Sequence, residues 1–386
     1  MNRLRDITGV FAPRIADFAG AEWDACFRDE AENHAYYSAC ERAGADRTAS
    51  GAVFATRGSE CLAVAPVFAL NFSLGTAFQA DAGPVAQARR ALTRSIGWPV
   101  IGLGSPFAER CHVGWRQGLS AADRDLSFEA LIDALEGRAR ERGTRLLALK
   151  DVSAPLDAPL ERVLTRRGYV RLSGLPVASL DLHGVATLDD YFARLSASTR
   201  KDLRRKLRTA ERVRIEDCHD IAPYAHEITA LYESTRTASR FDYGAFEVLP
   251  PEYFTRVSAA LRERALFKLY WVGHTLAAFN LLLIEPHRLI DKFLGMRYPL
   301  ARDHNLYALS WVENVRHCLA HGIRALQTGQ TAYREKLRLG SRLVPTSIWF
   351  RHRGRVLHQV LRAFAPLASF ERNDPQLAGA SLEHTA

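Results

Sequence analysis

No stretch of this 386-residue chain approaches the roughly 20 uninterrupted apolar residues that crossing a bilayer requires. The most apolar run, Leu276 to Ile284, carries Asn280 in its middle and reads as a buried strand. Near the start, Pro13, Arg14 and Asp17 interrupt the only apolar candidate, so no secretory signal is readable and the expected compartment is the cytoplasm. Paired cysteine spacings are missing too. Cys26, Cys40, Cys61, Cys111, Cys218 and Cys318 lie far apart, which excludes a CxxC zinc or redox motif and leaves reduced, buried thiols as the expectation. Among the 13 histidines only His317 and His321 share a helix at a four-residue spacing, with no third ligand beside them, so no metal is expected. Lysine is scarce, and the Arg- and Ala-rich composition matches the coding bias of a GC-rich genome.

What is present is ordinary globular material: 47% hydrophobic and 25% charged residues. The length exceeds one compact core and predicts two domains, 1–182 and 183–370, followed by a polar, small-residue tail over 371–386. The net charge of +9 is uneven. Residues 1–180 hold 22 basic against 21 acidic side chains, so the excess lies in the C-terminal half and points there for an anionic ligand.

The order of elements repeats. In the first half, two β-prone runs, Ala52–Thr56 and Cys61–Leu70, flank Arg57-Gly58-Ser59-Glu60, which is hairpin chemistry. Phe128, Leu131, Ile132, Leu135 and Ala139 then mark a helix that Ser127 can cap and Gly143 can end. Strand Thr144–Lys150, helix Leu156–Arg167 and strand Tyr169–Leu182 follow. The second half starts with Leu266–Val272 and Leu276–Ile284, joined through Gly273 and His274, and adds strand Leu289–Tyr298. Asn305 caps a helix striped by Leu306, Leu309, Val312, Val315 and Leu319; Gly322 ends it before strand Ile323–Thr328. Between the halves, Thr187 and Asp190 form a capping pair ahead of one helical face made of Phe192, Leu195, Leu203, Leu207 and Ala210. Its opposite face is basic, with nine Lys or Arg against Asp202 and Glu211 from Arg194 to Arg214. A tandem repeat of one α/β (α+β) unit is the architecture this order predicts.

Four segments carry a family resemblance: Leu195 to Arg208, Phe246 to Phe254, Asp291 to Leu309, and Gly329 to Gly340. With Trp23, Tyr36, Glu41 and the hairpin ending at Pro66, they make the chain resemble the FemAB-like branch of the GNAT acyltransferases, a likeness spanning most of its length. The resemblance implies two tandem GNAT-like domains, each a mixed, mostly antiparallel sheet flanked by helices. In the C-terminal one the sheet would splay beside its third strand and admit an activated acyl donor. It further implies transfer of an acyl or aminoacyl group to an amine, with acyl-CoA or aminoacyl-tRNA as co-substrate and no tightly bound cofactor. The acceptor would be a small-molecule or peptidoglycan-precursor amine; tRNA or an acyl carrier protein would meet the Arg200–Arg214 helix. A catalytically silent binding module stays open as the alternative, as do the donor and the oligomeric state.

Individual residues follow. Asp291 and Lys292 interrupt an apolar strand, where charge is costly unless it faces a cleft. Strand alternation sends them to opposite faces, Asp291 as base or amine-binding group and Lys292 toward the co-substrate. Tyr333 and Lys336 match a Tyr-x-x-Lys position of the resemblance and are the other candidate catalytic residues, for protonating a leaving group and stabilising negative charge. Gln327 and Gln330 flank a strand end and could bind the acceptor, together with Arg236, Arg240, Asp242 and Tyr243 in a polar, aromatic loop. GNAT enzymes usually grip the CoA pyrophosphate with a Gly-rich loop, whereas the corresponding Pro299–Asn305 contains no glycine and offers Arg302, His304 and Asn305 at a helix start.

Overall fold

A computed structural model describes residues 7–44, 49–73, 97–153, 156–238 and 249–367. The chain divides into two compact units. Unit 1 contains β1 (Ile7–Ala12), α1 (Gly20–Cys26), α2 (His34–Gly44), β2 (Ala49–Arg57), β3 (Glu60–Ser73), β4 (Gly97–Leu103), β5 (Gly114–Trp115), α3 (Ala121–Glu141), β6 (Leu146–Ser153), α4 (Asp157–Arg166) and β7 (Val170–Ser173). Unit 2 runs through β8 (Val177–Asp181), α5 (Leu188–Arg194), α6 (Ala197–Thr209), β9 (Val213–Cys218), α7 (Ala225–Ala238), α8 (Tyr253–Leu261), β10 (Ala265–Val272), β11 (Thr275–Ile284), β12 (Arg288–Met296), α9 (Leu300–Asp303), α10 (Leu306–Ala320), β13 (Ala325–Gly329), α11 (Tyr333–Arg338) and β14 (Arg342–Val344). The chain then returns to unit 1 with β15 (Thr346–His352) and α12 (Arg355–Phe364).

The two sheets have matching orders. Unit 1 reads β1-β2-β3-β4-β6-β15-β7, with β5 beside β3; unit 2 reads β9-β10-β11-β12-β13-β8-β14, written here from its other edge. In each, one parallel contact (β4 with β6, β12 with β13) interrupts an otherwise antiparallel sheet. The sixth position is exchanged: β15 comes to unit 1 from the far end of the chain, and β8 joins unit 2 from just beyond β7. The expected boundary at 182/183 therefore cuts the chain at a different place from the contacts, which assign Val177 onward to unit 2 and Pro345 onward to unit 1.

The duplicated signals act locally as expected. Gly58 and Gly273 take the left-handed conformation in the two hairpin turns (φ 61° and 60°), and Gly143 and Gly322 do so at the two helix ends (φ 67° each). Thr187 and Asp190 make a reciprocal capping box. Three local expectations are corrected. Helix α3 begins at Ser120, whose hydroxyl accepts the Asp123 N–H, so Ser127 lies buried within the helix and does not cap it. The single helix expected from Tyr191 to Ala210 is two, because Leu195 is extended (ψ 157°) and Ser196 caps a new helix through the Thr199 N–H. Run Tyr169–Leu182 is two strands in different sheets, interrupted at Gly174 and Pro176.

Unit 1 packs α3 and α4 on one sheet face, with Phe128, Leu131, Leu135, Leu160 and Trp349 in the core. In unit 2 α10 covers one face of the sheet through Trp311, Val312 and Val315. The other face meets an aromatic cluster in which Phe254 from α8 contacts Phe267, Phe279 and Phe293 from the strands. Helices on both faces explain why β11 is buried from Leu276 to Leu283 and why its sequence is nearly continuous in apolar residues. Gly295 is required in β12: a Cβ there would sit 2.2 Å from Phe279 and 2.9 Å from the Leu231 carbonyl carbon.

Candidate functional site

The slot predicted in the C-terminal sheet has a structural cause. Strands β12 and β13 pair only over Arg288↔Ala325, Leu289↔Leu326 and Ile290↔Gln327. Beyond that point β12 continues to Met296 along β11, and β13 continues to Gly329 along β8. The divergence coincides with a β-bulge: Leu282 faces Asp291 while Leu281 faces Phe293, so Lys292 is the extra residue. A bulge bends and over-twists its strand, which turns β12 away from its parallel neighbour.

Asp291 stands at the mouth of this split, on the α10 face. Its two oxygens accept bonds from the side-chain amides of Asn280 on β11 (2.6 Å) and Asn314 on α10 (3.2 Å). Asn280 and Asn314 are wholly buried, and among the described residues their carbonyl oxygens have no hydrogen-bond partner. The hydroxyls of Tyr270 and Tyr307 are likewise unsatisfied. Both phenols are raised above their ordinary range by burial first; the Asp291 carboxylate then contributes at both, after Glu313 at Tyr270 and ahead of Glu335 at Tyr307. Four unspent polar atoms thus accompany one carboxylate. Sequence reasoning missed Asn280, Asn314, Tyr270 and Tyr307. The available signal was a polar residue inside an apolar pattern, Asn280 in the β11 run and Asn314 on the buried side of α10.

The other candidate residues are dispersed. Lys292 is buried at 6% exposure, inside the bulge. Tyr333 is fully buried, and the Lys336 ammonium donates to the carbonyls of Thr328 and, at 3.2 Å, Gly329, so it secures the end of β13. Between the end of β13 and Tyr333, Thr331 and Ala332 hold left-handed conformations (φ 85° and 50°), which are strained for residues with a Cβ. Gln327 accepts from Arg288, itself doubly bonded to Glu285. In-register pairing puts Gln327 on the face opposite Leu326 and Asp291, so it does not meet the carboxylate. Gln330 is half-buried in the turn after β13. Arg236 pairs with Glu233 at 2.6 Å on α7. Arg240, Asp242 and Tyr243 lie outside the described residues.

The loop ahead of α10 is helical, and its amides are consumed. The N–H groups of Ala301, Arg302, Asp303, His304 and Asn305 all bond to carbonyls between Arg297 and Arg302. Asn305 takes the N-cap position in a left-handed conformation (φ 52°), and its side chain makes no capping bond, contrary to the expected capping role. The exposed Arg302 lies over the Tyr298 ring, and His304 Nδ1 has no partner among the described residues. Anion-favouring character here rests on the first turn of α10 and these two side chains, in place of a glycine-loop cradle.

At the far end of α10, His317 and His321 stack at 4.2 Å. Burial, then His321, then Lys268, lower the His317 pKa to about 4. The unfolded chain takes up a proton near pH 6.5 that folded His317 refuses until about pH 4. Stability is therefore lost as pH falls through that window, by up to about 3 kcal/mol. Thermal melts from pH 7 downward should show a shallower decline for His317→Gln than for the parent chain; equal slopes would exclude His317 as the source.

Unit 1 has its own small cleft, lined by Tyr37, Cys40, Glu41, Phe68, Ser105 and Phe107 among others. Glu41 accepts the N–H groups of Ile15 and Ala16, which makes it a clip for the chain before α1. Behind the cleft the buried Tyr37 hydroxyl bonds to His112 Nδ1, and His112 Nε2 lies 3.0 Å from Glu30 and 3.5 Å from Glu32.

A family model described as FemAB-like, peptidoglycan biosynthesis/recognition, matches residues 14–376. Among solved structures the chain is similar to FemX (11% identity, TM-score 0.57, covering 89% of this chain and 98% of that one). It is also similar to a tandem GNAT protein from the clavulanic acid pathway (15%, 0.52, 90% and 99%). A third is the C-terminal domain of a lysylphosphatidylglycerol synthetase from Agrobacterium fabrum (12%, 0.53, 89% and 97%). At these identities they show the fold. A Mycobacterium tuberculosis protein named 8-amino-7-oxononanoate synthase 2 is 24% identical over 258 residues, 64% of this chain; the match spans only 33% of that relative's length.

Proposed function

The chain belongs to the FemAB-like family, and from that premise we propose that it is an acyltransferase that carries an acyl or aminoacyl group from an activated donor to an amine at the β12/β13 split of unit 2. The observation that carries this reading is the split itself, with Asp291 and its two amide donors at the mouth. An ammonium group needs acceptors. Asp291 supplies charge, and the unspent carbonyl oxygens of Asn280 and Asn314 supply further lone pairs. The amine then attacks the donor carbonyl: a C–N bond forms, the bond to the leaving sulfur or oxygen breaks, and the proton lost by nitrogen finishes on the leaving group. Tyr307 is the proton donor this reading assigns. Its hydroxyl is unspent among the described residues, its raised phenol stays protonated at neutral pH, and the Asp291 carboxylate acts on it directly. The backbone of β12 past the bulge provides the amide N–H toward the oxyanion. Lys336 holds the strand end that keeps the split open.

Acyl-CoA is the leading donor, its anionic end at the start of α10 beside Arg302 and His304. The basic helix α6 favours aminoacyl-tRNA as the second reading. Asp202 is shared by Arg205, Lys206 and Arg338, which leaves Lys201, Arg208 and Arg212 with no carboxylate among the described residues. Labelled acyl-CoAs and aminoacyl-tRNAs, each incubated with a panel of amines including peptidoglycan-precursor peptides, test both. Transfer from acyl-CoA is expected. Transfer from aminoacyl-tRNA alone, falling steeply with salt, would replace it with the second reading, and no transfer from either would reject the enzyme.

A further inference from the structure

Helix α12 carries an apolar stripe that nothing among the described residues covers. Leu361 faces inward against the cluster containing Phe350 and Ala365. Val356, Val360 and Phe364, four residues apart and hence on one side of a helix, are 81%, 44% and 57% exposed. Soluble surfaces seldom align large apolar side chains in this way without a partner. The charge around the stripe has one sign. From Arg351 to Phe370 there is no acidic residue. Arg351 is engaged by Glu136, but Arg353, Arg355 and Arg362 are exposed and form no ion pair among the described residues. The exposed Arg145 sits beside them, its carbonyl accepting the Arg353 N–H. Helical spacing sets Arg355 and Arg362 on the other flank of the exposed face, about 100–120° around the helix from Val356.

We propose that α12 is an interfacial helix that docks unit 1 onto an anionic phospholipid surface, the valines and phenylalanine entering the acyl boundary and the arginines meeting lipid phosphates. Large amphipathicity, arginine on the flank of the exposed face and no acid nearby are the properties that suit a helix to lying in that plane. A second copy of the chain fits less well. Three side chains provide a small part of the roughly 800 Å² per partner that a stable interface buries, and two-fold pairing of this helix would set its arginines against each other. The surface is independent of the transfer reaction.

Co-sedimentation of the full chain with vesicles of phosphatidylcholine, with and without phosphatidylglycerol, tests the proposal. Binding is expected only to the phosphatidylglycerol vesicles and is expected to weaken with salt. Arg355→Gln with Arg362→Gln, and separately Val356→Ser with Val360→Ser and Phe364→Ser, should each lower partitioning about tenfold or more. Thermal melts should be unchanged, because these side chains are exposed. Equal binding to neutral vesicles, or undiminished binding by either variant, overturns the proposal. So does binding that appears only after residues 368–386 are removed, which would make the chain's own tail the occupant. A dimer in sedimentation equilibrium that the serine variant abolishes would overturn it in favour of self-association.

Discussion

Ending the chain at Val344 is expected to leave unit 1 without a stable sheet while unit 2 keeps its fold. Strand β15 lies between β6 and β7, pairing with the first from Thr346↔Ser153 to His352↔Leu146 and with the second from Ser347↔Ser173 to Phe350↔Val170. Its removal exposes β6, the inner partner of the parallel contact, and detaches β7. It also removes Trp349, 2% exposed within the main core of unit 1, and Phe350 from the opposite face. Losing one large buried aromatic costs about 3–5 kcal/mol, and a whole domain is stable by only about 5–15 kcal/mol. Hydrogen exchange on the truncated chain should show amides of β3, β4 and β6 unprotected, and those of β10 to β12 protected. Persistent protection in β6 would reject the account. Trp349→Ala is the single-residue counterpart. Trp349→Phe should cost much less, because the indole Nε1 makes no hydrogen bond among the described residues that would be lost.

Replacing Asp291 by asparagine is expected to lower kcat/KM for the amine by about a hundredfold to a thousandfold, a range ordinary for a group that binds or deprotonates a nucleophile. The substitution keeps the shape and removes the charge. It also turns one of the two acceptors toward Asn280 and Asn314 into a donor facing a donor, which costs about 1–3 kcal/mol of stability as well. The two consequences separate by measurement. A purely structural role lowers the melting temperature and leaves amine kinetics intact once the variant is folded; an amine-binding role raises KM for the amine at unchanged affinity for the donor. Asn314→Leu is a useful companion, since it removes one donor and one unspent oxygen without touching the charge. An Asp291→Asn enzyme with wild-type amine kinetics would remove Asp291 from the reaction.

Much of the secondary structure was legible because its causes are local. Gly143 and Gly322 end two helices because a left-handed residue is needed there, and Thr187 with Asp190 caps a third through bonds spanning three residues. Of the site, only the charges in β12 stood out, since Asp291 and Lys292 break an apolar strand within a few positions. Asn280 was visible in the β11 run without a reason for being there; the reason is a bond to a carboxylate eleven residues away on the neighbouring strand. Asn305 was expected to cap through its side chain, yet the left-handed backbone that the preceding helical turn imposes carries the side chain away from that bond.

Periodicity, turn chemistry and the repeated order of hairpin, helix and strand were enough to predict two similar α/β units, because each is encoded within one turn of chain or one hairpin; the family likeness came from the four matching segments. Tertiary structure alone decided that β8 and β15 enter different sheets, that a bulge at Lys292 opens β12 from β13, and that two asparagines converge on Asp291. The physical reason is the same in each case: these depend on hydrogen-bond register between segments far apart in the chain, and the free energy of that pairing belongs to no single segment.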